Sequence, residues 1–179
     1  AFVRTHALGT FVLLEAAPDV AASVRDWGHV RLFSSWRFNA DKAAMRLLER
    51  AGWAAPPADG LPTGDELYGA YLRPLSELPE IRHRLRLNRR VVAIARSGVD
   101  KVRTAGRADT PFLIRTVEGE DFAARAVIDA SGTWWRPNPL GASGLPAVGE
   151  TALRERIHYG IPDVLGRDRE RYAGRTTLV

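Results

Sequence analysis

Two short stretches of this 179-residue chain carry residue types at spacings that could do chemistry. The first is Thr10-Phe11-Val12-Leu13-Leu14-Glu15, an apolar run ending in an acid. Such a run, after a Gly9 turn, reads as a buried parallel strand. Its terminal carboxylate has two oxygens, and two vicinal hydroxyls want a bidentate acceptor. In a doubly wound nucleotide-binding fold, an acid at the end of the second strand takes the ribose hydroxyls, about 20 residues beyond a GxGxxG turn. Counting back from Glu15 puts that turn ahead of residue 1, and residues 1–8 read as the tail of a helix. The second stretch is Asp129-Ala130-Ser131-Gly132-Thr133. A small-small-Gly turn after a buried strand lets backbone approach a ligand closely.

These groups need elements to hold them. Residues 18–39 mix aromatic and polar side chains without a period, and read as a long ordered loop with a short helix near 19–25. Asn39 to Ala51 is a helix capped by Asn39 or Asp41, with Ala44, Leu47, Leu48 and Ala51 on one face and Gly52 as its stop. Thr63-Gly64-Asp65-Glu66 is a capping box that opens a second helix, carrying Leu67, Ala70, Tyr71 and Leu75. Pro74 should kink or end it. The period then changes. Leu85, Leu87 and Val91–Ile94 read as strand, as do Phe112–Val117 and Phe122–Asp129. Ser97–Pro111 is a polar, exposed hairpin loop between the first two. The end of the last strand, Ala126-Val127-Ile128-Asp129, is apolar enough to be buried in a parallel sheet. Residues 132–149 hold three prolines and read as an extended connector.

Composition excludes several classes. There is no cysteine, which removes disulfides, thiolate metal sites, iron–sulfur clusters and thiol chemistry. The four histidines, His6, His29, His83 and His158, lack metal-ligand spacing. No apolar run approaches the roughly 20 residues of a membrane span. With no secretory h-region in the first residues either, the expected compartment is the cytoplasm. The net charge is +5, and the positive residues are almost all arginine. The densest basic stretch, Arg82 to Arg90, has no interleaved aromatics for base stacking, so nucleic acid is not expected as a partner.

The chain resembles the two-dinucleotide-binding-domain flavoproteins, the group that holds flavin monooxygenases and related FAD/NAD(P)H oxidoreductases. The resemblance is carried in order along nearly the whole chain. It runs from Val12-Leu13-Leu14-Glu15-Ala16 through Trp27 to Asn39, Pro62–Leu67 and Tyr71–Leu75. It continues through Val91–Ile94, Ile128–Trp134, Pro137-Asn138-Pro139 and Tyr172-Ala173-Gly174-Arg175. Ser131 stands where the group has threonine. The implied fold class is α/β, a partial Rossmann-like FAD-binding domain with an inserted antiparallel β-meander. Residues 1–150 would be the FAD-binding domain lacking its N-terminal βα unit. Residues 151–179 would cross into a truncated NAD(P)H-binding domain.

The resemblance implies roles residue by residue. Glu15 would bind the adenosine ribose of FAD. Backbone at Val91 or Val92 would hold the adenine. Ala130, Ser131 and Gly132 would lie against the diphosphate–ribityl region. Ser34, Ser35, Trp36 and Arg37 would sit near the isoalloxazine, with Arg37 stabilising the reduced anionic ring. No catalytic acid or base stands out. The implied activity is hydride transfer from NAD(P)H to FAD and on to oxygen or another acceptor, with a small-molecule substrate. The FxGxxxHxxx(Y/W) signature of Baeyer–Villiger enzymes is absent, which lowers the case for monooxygenation. Both glycine-rich phosphate loops would fall beyond the chain's ends, so the chain alone should bind dinucleotide poorly. The alternatives are a non-catalytic dinucleotide-binding module, an inactive gene fragment and, last, an Arg-rich nucleic-acid-binding domain. Substrate, nicotinamide preference and oligomeric state are not encoded in any motif.

Overall fold

The computed structural model describes residues 10–178; the helix expected over residues 1–8 lies outside them. The fold is mixed α/β with two small sheets. Strand β1 (Leu13–Leu14) pairs in parallel with β2 (Leu85–Arg86). Three antiparallel strands, β3 (Val91–Arg96), β4 (Phe112–Thr116) and β5 (Asp121–Ala124), form the meander in the order β3-β4-β5. Of the expected strand over 10–15, only Leu13 and Leu14 lie in the ladder, paired with Leu85 and Arg86.

Between β1 and β2 lie six short helices: α1 (Ala22–Asp26), α2 (Trp36–Asn39), α3 (Lys42–Arg50), α4 (Gly64–Leu67), α5 (Arg73–Glu77) and α6 (Pro79–Arg82). They enclose one hydrophobic core of Trp36, Ala40, Leu48, Leu67, Tyr71, Leu78 and Ile81. Of the two candidate caps for α3, Asp41 does the work, its Oδ1 accepting from Ala43 N and Ala44 N. Asn39 is used elsewhere. Thr63 and Glu66 close the expected capping box on α4.

Pro74 does not end the second helical run, which continues to Glu77. Two features accommodate it. Tyr68–Leu72 forms a π-helical turn, with Arg73 N donating to Tyr68 O. Proline has no N–H for the carbonyl four residues back, which is that of Ala70. The Trp53 indole Nε1 donates to that oxygen instead, at 2.7 Å.

The third expected strand is also corrected. Extended pairing stops at Ala124, and Ala126–Asp129 has no ladder; Ile128 is 75% exposed rather than buried. The cause is the partner. Ala124 pairs with Phe112, the first residue of β4, and Pro111 before it has no N–H to continue the ladder. Beyond residue 129 the chain is mostly turns, with a 3₁₀ turn at Arg154–Arg156 and a last helix, α7 (Arg169–Tyr172).

One close approach sets the helical layer. Gly28 is buried against the start of α4, where Gly64 N donates to Val30 O (3.0 Å) and Asp65 N to Gly28 O (2.9 Å). A Cβ on Gly64 would lie 2.9 Å from Gly28 Cα, so neither backbone leaves room for a side chain there.

Candidate functional site

Glu15 stands at the C-terminal end of β1. Its N–H donates to Arg86 O (2.9 Å), its carbonyl accepts from Arg89 N (2.8 Å), and its Oε1 accepts from Ala17 N (2.9 Å). Its other carboxylate oxygen takes no hydrogen bond from the described residues. Two residues past Arg89, β3 begins with a bulge: Val91 pairs with Thr116 and Ala93 with Arg115, leaving Val92 between them. Val91 and Val92 are exposed, and β3 is an edge of its sheet. The Glu15–Arg89 bond therefore brings the strand-end acid and the open edge together. The neighbouring guanidiniums are largely engaged within the protein. Arg84 lies over the Phe11 ring, Arg86 donates to the carbonyls of His83 and Leu85, and Arg89 pairs with Glu120.

From Ala17 an open cleft of 350 Å³ runs along α1, lined by Ala17, Pro18, Asp19, Ala22, Arg25, Asp26 and Asp65. Asp19 bonds Tyr68 Oη and pairs with Arg25 at 3.1 Å. The Tyr68 hydroxyl holds Asp19 below the usual carboxylate range, and the same bond raises the Tyr68 phenol. Ala21, just before α1, adopts the left-handed backbone (φ 56°), an unfavourable conformation for a residue with a Cβ.

Residues 34–37 form a separate group. Ser34 Oγ donates to Asn39 Oδ1, and Asn39 Nδ2 donates to the carbonyls of Ser34 and Ser35. Ser35 precedes α2, Trp36 is buried in the core, and Arg37 pairs with Asp59. Phe33 and Phe38 flank this group in water, Phe33 at 99% exposure.

The third group is the turn after residue 128. Asp129 Oδ1 accepts from Ser131 N (3.0 Å) and Ser131 Oγ (2.7 Å), and Gly132 takes φ 67°. These bonds from Ser131 lower Asp129's affinity for a proton. Ala130, Ser131 and Gly132 are exposed. Trp134 then reaches back over 108 positions: its Nε1 donates to Asp26 Oδ2 at 3.0 Å, on the cleft wall. Trp134 adjoins a turn visible in the sequence. Asp26 carries no local signal, and only the folded chain pairs the two.

Farther on, Glu150 organises the connector. It is buried, and accepts from Leu140 N, from Ala147 N and from Tyr159 Oη. The Tyr159 hydroxyl, more than any other neighbour, holds its carboxyl below the usual range. A carboxylate with a depressed folded value stabilises at pH above its unfolded value and loses that contribution as pH falls through the folded one. The connector should therefore stay latched at neutral pH and loosen only in acid. Glu150→Gln, which replaces one acceptor with a donor, should raise hydrogen exchange at the Leu140 and Ala147 amides by about tenfold at neutral pH. Unchanged exchange there would show that the latch is not formed in solution.

Comparison of the chain with protein-family models finds no match, and comparison with curated proteins finds none. Among solved structures, one described as "Oxidized steroid monooxygenase bound to NADP" aligns with 75% of this chain at 22% identity and a TM-score of 0.48. The chain spans 22% of that protein's length. Likeness at this level assigns no function. Among the described residues, no group of three or more His, Asp or Glu could hold a metal ion, and no helix is long and apolar enough to cross a membrane.

Proposed function

We propose that the chain is part of an FAD-dependent oxidoreductase that takes hydride from NAD(P)H and acts on a small-molecule substrate. The observation that carries this reading is the junction of Glu15 with the bulged edge of β3, made through the Glu15 O–Arg89 N bond. A carboxylate oxygen that takes no hydrogen bond from the described residues, beside an exposed strand edge, suits an adenosine. The ribose diol donates to the carboxylate, and the edge supplies one backbone donor and one acceptor for the base.

The donor set fits the adenosine end of FAD. Glu15 would hold the ribose and backbone at Val91 or Val92 the adenine. The cleft beyond Ala17 does not suit a diphosphate, because Asp19, Asp26 and Asp65 outnumber Arg25 there. The turn at Ala130, Ser131 and Gly132 would lie against the more distant part of the cofactor. Its Gly132 has no Cβ to hold a ligand off, and Ser131's hydroxyl is already oriented by Asp129. Ser34, Ser35 and Arg37 would line the ring end, while Trp36 supports them from the core. Bound FAD would supply the hydride acceptor and the passage of electrons to oxygen or another acceptor. In this reading residues 1–150 belong to the FAD-binding domain and 151–179 to the crossover toward an NAD(P)H-binding one.

The test is the visible spectrum of the protein purified from its full reading frame, alone and with added FAD. A flavin band that NAD(P)H bleaches is the expected result. A colourless protein that takes up no FAD would overturn the reading. A flavin band that neither NADH nor NADPH bleaches would favour a binding module without turnover.

A further inference from the structure

The chain between β2 and β3 turns on a residue with an unusual backbone. Asn88 adopts the left-handed conformation (φ 54°), which among the described residues other than glycine only Ala21 shares. That conformation crowds a Cβ against the following carbonyl; glycine visits it freely, and asparagine more readily than most. Its use here lies in where two amides go. In extended backbone, successive N–H groups point to opposite sides. Here Asn88 N donates to Ala17 O at 2.9 Å and Arg89 N to Glu15 O at 2.8 Å, so both face the same end of β1. Ala17, held by its carbonyl, holds Glu15 in turn, its N–H donating to Glu15 Oε1 at 2.9 Å. The bulged edge of β3 begins two residues after Arg89. The Asn88 side chain is exposed, so the residue type acts through its backbone.

We infer that Asn88 is a positioning residue: its left-handed turn clasps the end of β1 with two successive amides and so sets the Glu15 carboxylate beside the β3 edge. Its function rests on the proposed FAD reading, and the clasp on the hydrogen bonds alone. β1 and β3 belong to different sheets, so no ladder aligns them. The strand-end acid and the edge keep one offset only while the turn between β2 and β3 keeps its shape. A side chain that opposes the left-handed conformation lets the turn populate other shapes, and apparent affinity then falls with the fraction that keeps the clasp.

The experiment replaces Asn88 with Gly, Ala and Val in the full-length protein. All three remove the side-chain amide; they differ in the cost of the left-handed backbone, which is low for glycine and highest for the β-branched valine. Asn88→Ala carries the test where Asn88→Val does not fold. Ala21→Val, which adds the same strain ahead of α1, is the control for general destabilisation. The first readout is hydrogen exchange at the residue 88 and 89 amides. Protection there should fall about tenfold in Asn88→Val, less in Asn88→Ala, and stay at the parent level in Asn88→Gly. The second is FAD affinity from quenching of flavin fluorescence. It should follow the same order, about tenfold weaker in Asn88→Val, and be unchanged in Asn88→Gly and Ala21→Val. Full protection at residues 88 and 89 in Asn88→Val would overturn the clasp, whatever the flavin does. Lost protection with parental FAD affinity would overturn the positioning role, as would an equal loss of affinity in Ala21→Val. A parent protein that binds no FAD would sink the cofactor reading separately and take the positioning role with it, while the exchange result still decides the clasp.

Discussion

Leu48→Ala should lower the unfolding free energy by about 3 kcal/mol, within the roughly 2–5 kcal/mol span of buried leucine truncations. Leu48 is 1% exposed and sits on the inward face of α3. It belongs to the same cluster as Trp36, Leu67, Tyr71, Leu78 and Ile81. The cost has two sources, the lost transfer of the side chain from water and the cavity left among rigid neighbours. Collapse is hindered here. Trp36 is fixed on a four-residue helix, and Tyr71 is held by its hydroxyl accepting from Asp41 N at 3.1 Å. Urea denaturation of the variant and the parent, with equal slopes, measures the difference. A loss under about 1 kcal/mol would mean that the helical layer is not packed as described.

The second large effect concerns function. Glu15→Gln should weaken FAD binding by about tenfold to a hundredfold, the range of one hydrogen bond to a charged acceptor. The backbone bonds of residue 15 to Arg86 and Arg89 do not depend on its side chain, so β1 and its neighbour keep their places. The unfolding midpoint should then change little, which separates lost binding from lost fold. Titration of FAD into both proteins, read by fluorescence quenching, is the measurement. Equal affinities would remove Glu15 from the cofactor site and with it the observation that carries the proposed function.

The parts of this molecule that the sequence discloses are local. The capping box Thr63–Glu66, the cap on α3 and the tight turn at Asp129–Gly132 each depend on residues within four positions, and each forms. The meander is legible for the same reason: β-branched runs separated by turn residues pair with their neighbours in the chain. What escapes the sequence is whatever depends on a distant partner. Ala126–Asp129 looks like a buried strand by composition, yet burial needs a neighbouring strand, and β4 has ended by then. The sequence places Trp36 near a ligand, and the fold packs its ring in the core. An aromatic in an aperiodic loop gives no sign of which way it will point. Asp26 gave no sign at all, because its partner lies 108 residues away.

The indole of Trp53, standing in for the amide that Pro74 lacks, ties the fates of two positions 21 apart. While proline occupies position 74, the side chain at position 53 supplies Ala70 O with a donor that the residue-74 backbone cannot give. A chain with an ordinary residue at 74 regains a backbone donor, and position 53 is then released to vary for packing alone. Substitutions at the two sites should therefore be epistatic, with the order in which they arise deciding whether the intermediate is tolerated.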